Sequence, residues 1–149
     1  MHSNHLHTAV RLLHRREQSC AELRKKLLQK GANLEVIEVV IARCQAQGWQ
    51  SDARFVSMWL RHGYQKGQGL NKLRYELQSQ HQIASRLIEE TLIELDLDWF
   101  ALAETVLAKK LNGTQAQDLK QQMKAYQFMV RRGFDAEAIQ YAIQALKAT

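Results

Sequence analysis

Histidine and cysteine are the residue types in this chain best suited to hold a metal or attack a substrate, and it has 6 of the first and 2 of the second. His2, His5 and His7, followed by His14, crowd the N-terminus at a spacing that could suggest a metal site. No cysteine or carboxylate cluster joins them, and structural metal sites draw on such mixed sets. Cys20 and Cys44 form no CxxC pair, so they read as reduced thiols buried on helices. Glu89, Glu90 and Glu94 share one helix with no nucleophile beside them, which reads as a solvated face rather than an acid/base pair. The segment Gly67-Gln68-Gly69-Leu70-Asn71-Lys72 precedes a helix but lacks the GxxxxGK[ST] spacing and the strand that a phosphate loop needs. It reads as a flexible turn, or as a contact loop where glycine lets backbone approach a phosphate or a protein groove. HExxH, GxSxG and paired His/Cys arrangements are absent. The chain is expected to bind rather than to catalyse.

The basic side chains say more. Lys plus Arg number 21 against 15 Asp plus Glu, a net +6. Residues 1–50 carry 8 basic and 4 acidic groups, residues 51–99 carry 6 and 7, and residues 100–149 carry 7 and 4. The excess sits at both ends, which favours a polyanion or an acidic protein surface as partner. Arg15, Arg16, Arg24, Lys25 and Lys26 form the first group, and Arg54, Arg61, Lys66 and Lys72 the middle one. Lys109, Lys110, Lys124, Arg131 and Arg132 form the last. As a set they could track a phosphate backbone or meet carboxylates on a protein. Most aromatic residues fall on helix faces or joints and read as core. Tyr64 and Tyr75, beside Arg61, Lys66, Lys72 and Arg74, are the one aromatic–basic stretch suited to nucleic-acid contact.

The elements that must position these groups are helices. Proline is absent from 149 residues and glycine occurs only 7 times; proline is excluded from helix interiors because it removes a donor and clashes with the preceding turn. Thr8 is expected to cap a first helix. Ser19-x-x-Glu22 forms a capping box, Gly31 stops the helix it opens, and Asn33 caps a third helix that closes near Gly48. Ser51 and Asp52 open a fourth, expected to stop near Gly63. Helices around Leu73 and Leu87 follow, then one started by Asp96 or Asp98 and stopped at Asn112-Gly113. Thr114-x-x-Gln117 is a second capping box, opening a helix with Met123, Tyr126, Met129 and Val130 on its apolar face, closed by Gly133. Asp135 caps the last.

A shift of 102 residues lays Leu27 on Met129, Gly31 on Gly133 and Ile37 on Ile139. Shifts of 50 and then 51 lay Leu27 on Leu77 and Ile37 on Ile88, so the middle unit gains one residue at a turn. The expected fold is all-α: three tandem three-helix repeats over 1–50, 51–98 and 99–149, forming an elongated, curved array. No apolar run approaches membrane-spanning length and no signal-peptide plan opens the chain, so a cytoplasmic, soluble monomer is expected.

Several pieces stand in a definite order and spacing: Arg15-Arg16, Ser19-x-x-Glu22-Leu23 and Gly31; Gly48-Trp49-x-Ser51-Asp52-x-Arg54-Phe55; Gly67-Gln68-Gly69 running into Glu76-Leu77; and Arg131-Arg132-Gly133-Phe134. Together they resemble the RecX family of RecA recombinase regulators. The family usually has alanine where Val56 stands and another residue at Leu70. The resemblance implies a partner, the RecA filament on single-stranded DNA, bound along its groove or at its growing end. Filament growth, strand exchange, ATP hydrolysis and coprotease function would be inhibited. It also implies weaker, nonspecific affinity for DNA, and neither cofactor nor catalysis. The alternative is a helical DNA-binding module that acts by competing for DNA.

Overall fold

The computed structural model describes residues 2–112 and 119–148, and among these every regular element is a helix. In chain order they are α1 (His2–Arg15), α2 (Cys20–Gln29), α3 (Leu34–Ala46), α4 (Asp52–Gln65), α5 (Leu70–Ser79), α6 (Ser85–Leu95), α7 (Trp99–Leu111), α8 (Leu119–Arg132) and α9 (Ala136–Lys147). Side-chain caps open several of them as expected. Ser19 Oγ accepts from the Glu22 amide at 3.0 Å, and Glu22 Oε1 accepts from the Ser19 amide at 3.4 Å. Asn33, Asp98 and Asp135 each accept from an amide three residues on, at 2.9, 2.9 and 2.8 Å. Asp98, not Asp96, therefore opens α7; Asp96 is instead left-handed, with φ +47°. The Thr114–Gln117 box and Gly113 lie outside the described residues.

Two expectations need correction. Helix α1 already runs from His2, and the Thr8 hydroxyl donates to the Asn4 carbonyl at 3.0 Å rather than capping anything. This is the back-bond a threonine makes inside a helix. Helix α4 passes through Gly63 and ends at Gln65. Gly63 serves packing: a Cβ there would lie 2.3 Å from Leu73 Cδ2, so its bare backbone admits the leucine of α5.

The repeat shows most clearly at the stop of each second helix. The Ala32 amide donates to the Leu27 carbonyl at 3.1 Å and the Phe134 amide to the Met129 carbonyl at 3.1 Å, with Gly31 and Gly133 left-handed between them. In the middle repeat the Ile83 amide donates to the Leu77 carbonyl at 3.0 Å, one residue further along, and Gln82 takes the left-handed position with φ +49°. That turn holds the inserted residue.

Packing gathers the chain into two compact units. The first comprises residues 1–58 and 77–91. Its core of Ala9, Leu23, Leu27, Ile37, Val40, Ile41 and Cys44 joins α1, α2 and α3, and Phe55, Val56, Leu77 and Ile88 are buried in the same unit. The second comprises residues 59–76 and 92–149, with Ala103, Leu107, Met129, Phe134, Ile139 and Ala142 as its core and Leu60 and Leu73 also buried. Each fully buried leucine or isoleucine contributes about 1.5–3 kcal/mol of transfer free energy. Met123 and Val130, expected on the apolar face of α8, are more than half exposed.

Candidate partner-binding surface

In the first unit most of the arginines engage carboxylates of the chain itself. Arg16 pairs with Glu22, Arg24 Nε donates to Glu38 at 2.8 Å, and Arg54 Nε donates to Glu17 at 2.9 Å. Arg54 also donates to the Gly48 carbonyl at 2.8 Å, tying down the α3–α4 turn. Lys26 donates to Gln18 Oε1 at 2.9 Å and lies 3.8 Å from Glu22. Burial pushes the Glu22 carboxyl up, but hydrogen bonds and charge from Arg16, with Lys26 and the Ser19 amide, outweigh it and hold the group below the usual carboxylate range. Arg15 and Lys25 make no ion pair among the described residues.

Beneath these pairs lies a buried polar network that sequence reasoning missed. Ser19 Oγ sits 2.8 Å from His81 Nδ1, and the His81 ring lies 4.6 Å from that of Phe55. Gln50 Nε2 donates to the Gln18 carbonyl and to Asp52 Oδ1, both at 3.0 Å, and Asp52 accepts from the Cys20 amide at 2.9 Å. The Cys20 thiol donates to Gln50 Oε1 at 3.3 Å. Burial foremost, then the Asp52 charge, pushes that thiol up, and burial alone does the same to Cys44. Both are free and buried. The network is scaffolding: it satisfies the polar atoms that a α1–α2 turn and a helix start bring inside. Its signal in the sequence was a pair of glutamines at element junctions, which no spacing rule singles out. Among the described residues no three of His, Cys, Asp and Glu come together to hold a metal.

In the second unit the cations are differently placed. Arg61, Lys66, Lys72, Lys109, Lys110, Lys124, Arg131 and Arg132 make no ion pair among the described residues. Arg132 is held nonetheless: its Nη2 donates to the carbonyls of Lys66 at 2.7 Å and Gly67 at 3.0 Å, and its Nε to Gly67 at 3.3 Å. These acceptors are neutral, so the guanidinium is pinned with its charge intact. Lys110 Nζ lies 4.7 Å from the centre of the Phe128 ring, and the Arg132 guanidinium carbon 6.0 Å from it. Together with Leu102 and Val106 these groups line a cleft of about 380 Å³, which brings Lys66, Lys109, Lys110 and Arg132 to one place. Lys72, Lys124 and Arg131 are not among its lining residues.

The glycine loop has found its own groove. The Gly69 amide donates to the Arg132 carbonyl and the Asn71 amide to the Gly133 carbonyl, so the close backbone approach is to the turn before α9. Tyr64 is likewise engaged within the unit, donating to the Asp98 carbonyl at 3.0 Å and meeting Trp99 edge-on at 5.2 Å. Tyr75 is 68% exposed. Trp49 and Phe100, two of the aromatic residues at helix faces or joints where packing into the core is the expected reading, are also exposed.

Three look-alike trios of helices define an all-α tandem-repeat protein. Models of the first, second and third three-helix domains of RecX match residues 6–44, 51–92 and 96–143. The chain is 40% identical over 86% of its length to the regulatory protein RecX of Haemophilus influenzae (strain PittEE), of which the match covers 85%. It is 38% identical over 91% of its length to that of Vibrio vulnificus (strain CMCP6), of which the match covers 88%. A crystal structure of RecX from Lactobacillus salivarius shares the fold with a TM-score of 0.84 at 20% identity, covering 99% of this chain and 97% of that one. The chain belongs to the RecX family of regulatory proteins. Among the described residues no helix is long and apolar enough to cross a membrane.

Proposed function

We propose that this protein binds filaments of the RecA recombinase in the cytoplasm and restrains their growth, strand exchange, ATP hydrolysis and coprotease activity. It acts by binding rather than by catalysis, as a monomer, with weaker and nonspecific affinity for DNA. Family membership across all three helical domains carries this reading. The charge placement supports it, because exposed cations without carboxylate partners among the described residues remain available to carboxylates or phosphates of a polymer. Contacts spread over the chain, from Arg15 and Lys25 to Lys66, Lys72, Lys109, Lys124 and Arg131, would each be modest and add through multivalency.

The test is ATP hydrolysis by a preformed recombinase filament on single-stranded DNA, with chaser DNA in excess. Inhibition that survives the excess supports the protein target. Inhibition that vanishes supports the second reading, competition for DNA. Reversing Arg61, Lys66 and Lys72 together is expected to weaken the inhibition; an unchanged response would remove the middle contact from the proposal.

A further inference from the structure

We propose that the cleft between α7, α8 and the Gly67 turn is a binding site for a nucleoside phosphate. Its dimensions suit one such unit, since about 380 Å³ falls within the range of small-ligand sites. Buried Leu102 with half-buried Val106 and Phe128 makes its apolar floor, while exposed Lys66, Lys109 and Lys110, with half-buried Arg132, make its rim. A bare anion would satisfy the rim and leave the floor wet. An apolar body would fill the floor and leave four positive charges unmatched. A planar base joined to a phosphate satisfies both.

Two details favour that ligand. Arg132 is clamped by the carbonyls of Lys66 and Gly67, so its charge is positioned in advance and little side-chain freedom remains to be lost on binding. Gly67 makes the clamp feasible: its φ is +79°, and a Cβ there would come 2.9 Å from Arg132 Nη2. The Phe128 ring, which lines the cleft, already receives the Lys110 ammonium at 4.7 Å, so it accepts a cation-bearing partner on its face. A base stacking there displaces the ammonium toward the phosphate it is then placed to meet.

The phosphate can come from a free nucleotide or from one residue of a single strand, and the two sources share this chemistry. Calorimetric titration of the full-length protein with ATP, with tripolyphosphate, with an oligothymidylate and with a short aspartate-rich peptide separates them. ATP or the oligothymidylate is expected to bind about tenfold more tightly than tripolyphosphate, the difference that stacking of one base supplies. Binding by the oligothymidylate alone identifies a strand as the source. The surface double variant K109Q/K110Q is expected to lose about tenfold in affinity. F128L, which keeps the floor filled, is expected to abolish the advantage over tripolyphosphate. Equal affinity for ATP, oligothymidylate and tripolyphosphate, tighter binding of the peptide than of either nucleotide probe, or binding indifferent to K109Q/K110Q would overturn the proposal. The strand source rests on the DNA affinity of the proposed function, whereas binding of ATP to the protein alone tests the cleft whether or not a recombinase is the partner.

Discussion

The Gly69 amide donates to the Arg132 carbonyl across 2.7 Å, and a Cβ built on Gly69 would fall 2.3 Å from the carbonyl carbon of Gly133. Two main chains therefore touch where the loop before α5 meets the turn before α9. A main chain cannot swing aside as a side chain can, so G69A must prise the two segments apart. G48A is the control: Gly48 has φ +74° but nothing within 4 Å of an added Cβ. Chemical denaturation is expected to show a loss of about 1–2 kcal/mol for G48A, the cost of a left-handed non-glycine residue, and a clearly larger loss for G69A. Equal losses would mean that the backbone contact yields readily.

Gln82 occupies the left-handed stop that Gly31 and Gly133 fill in the other repeats. Its side chain recovers a little, with Nε2 donating to the Ser79 carbonyl at 3.0 Å at the surface. Glycine at this position removes the steric cost but adds freedom to the unfolded chain. Because the conformational term is the larger, Q82G is expected to raise stability by up to about 1 kcal/mol. A lowered thermal midpoint would show that the exposed hydrogen bond outweighs the strain.

The same position shows where the sequence was readable. Leu27, Leu77 and Met129 announce the repeat because each must be buried, and burial constrains residue type. The turn after them needs only a backbone conformation. Where glycine supplies it, at Gly31 and Gly133, the stop is visible; where Gln82 supplies it, nothing marks the site. Gly63 misled for the opposite reason, since a glycine kept for the Leu73 side chain looks in sequence like a helix stop. The cations were named correctly as cations, but whether one is spent inside the fold depends on partners far along the chain. Arg54 meets Glu17, and Arg132 meets the carbonyls of Lys66 and Gly67. No periodicity records such pairings.

Glu22 joins the capping box to the ion pairs of α2, and its carboxyl titrates below the ordinary value of 4.5 in the folded chain. A group with a depressed folded pKa stabilises the fold above the unfolded pKa, and that stability is lost as pH falls through the folded value. The wild-type thermal midpoint should therefore fall on acidification from about pH 5 downward. Glutamine can still accept from the Ser19 amide but has no charge for Arg16 or Lys26. E22Q is expected to cost about 1 kcal/mol at pH 7 and to flatten the acid limb. An unchanged acid limb would place its origin at other carboxylates.

Arg24 and Lys109 are both exposed, but among the described residues only Arg24 pairs with a carboxylate. Removing its charge frees Glu38, so R24Q subtracts one cation and uncovers one anion, both in solvent. An exposed pair of this kind is worth about 0–1 kcal/mol, and the stability of R24Q should stay within that range. The surface field near α2 nevertheless changes by a full unit. K109Q also removes one unit, from a cleft that Lys66, Lys110 and Arg132 also line, where like charges disfavour one another. Its stability should hold or rise slightly, while affinity for an anionic partner falls. Measured at increasing salt, the wild type should lose affinity for single-stranded DNA linearly in log[salt]. K109Q should reduce that slope by about 0.7, the value for one phosphate contact on a single strand. If R24Q reduces the slope as much as K109Q does, internal pairing does not decide which cations meet the partner.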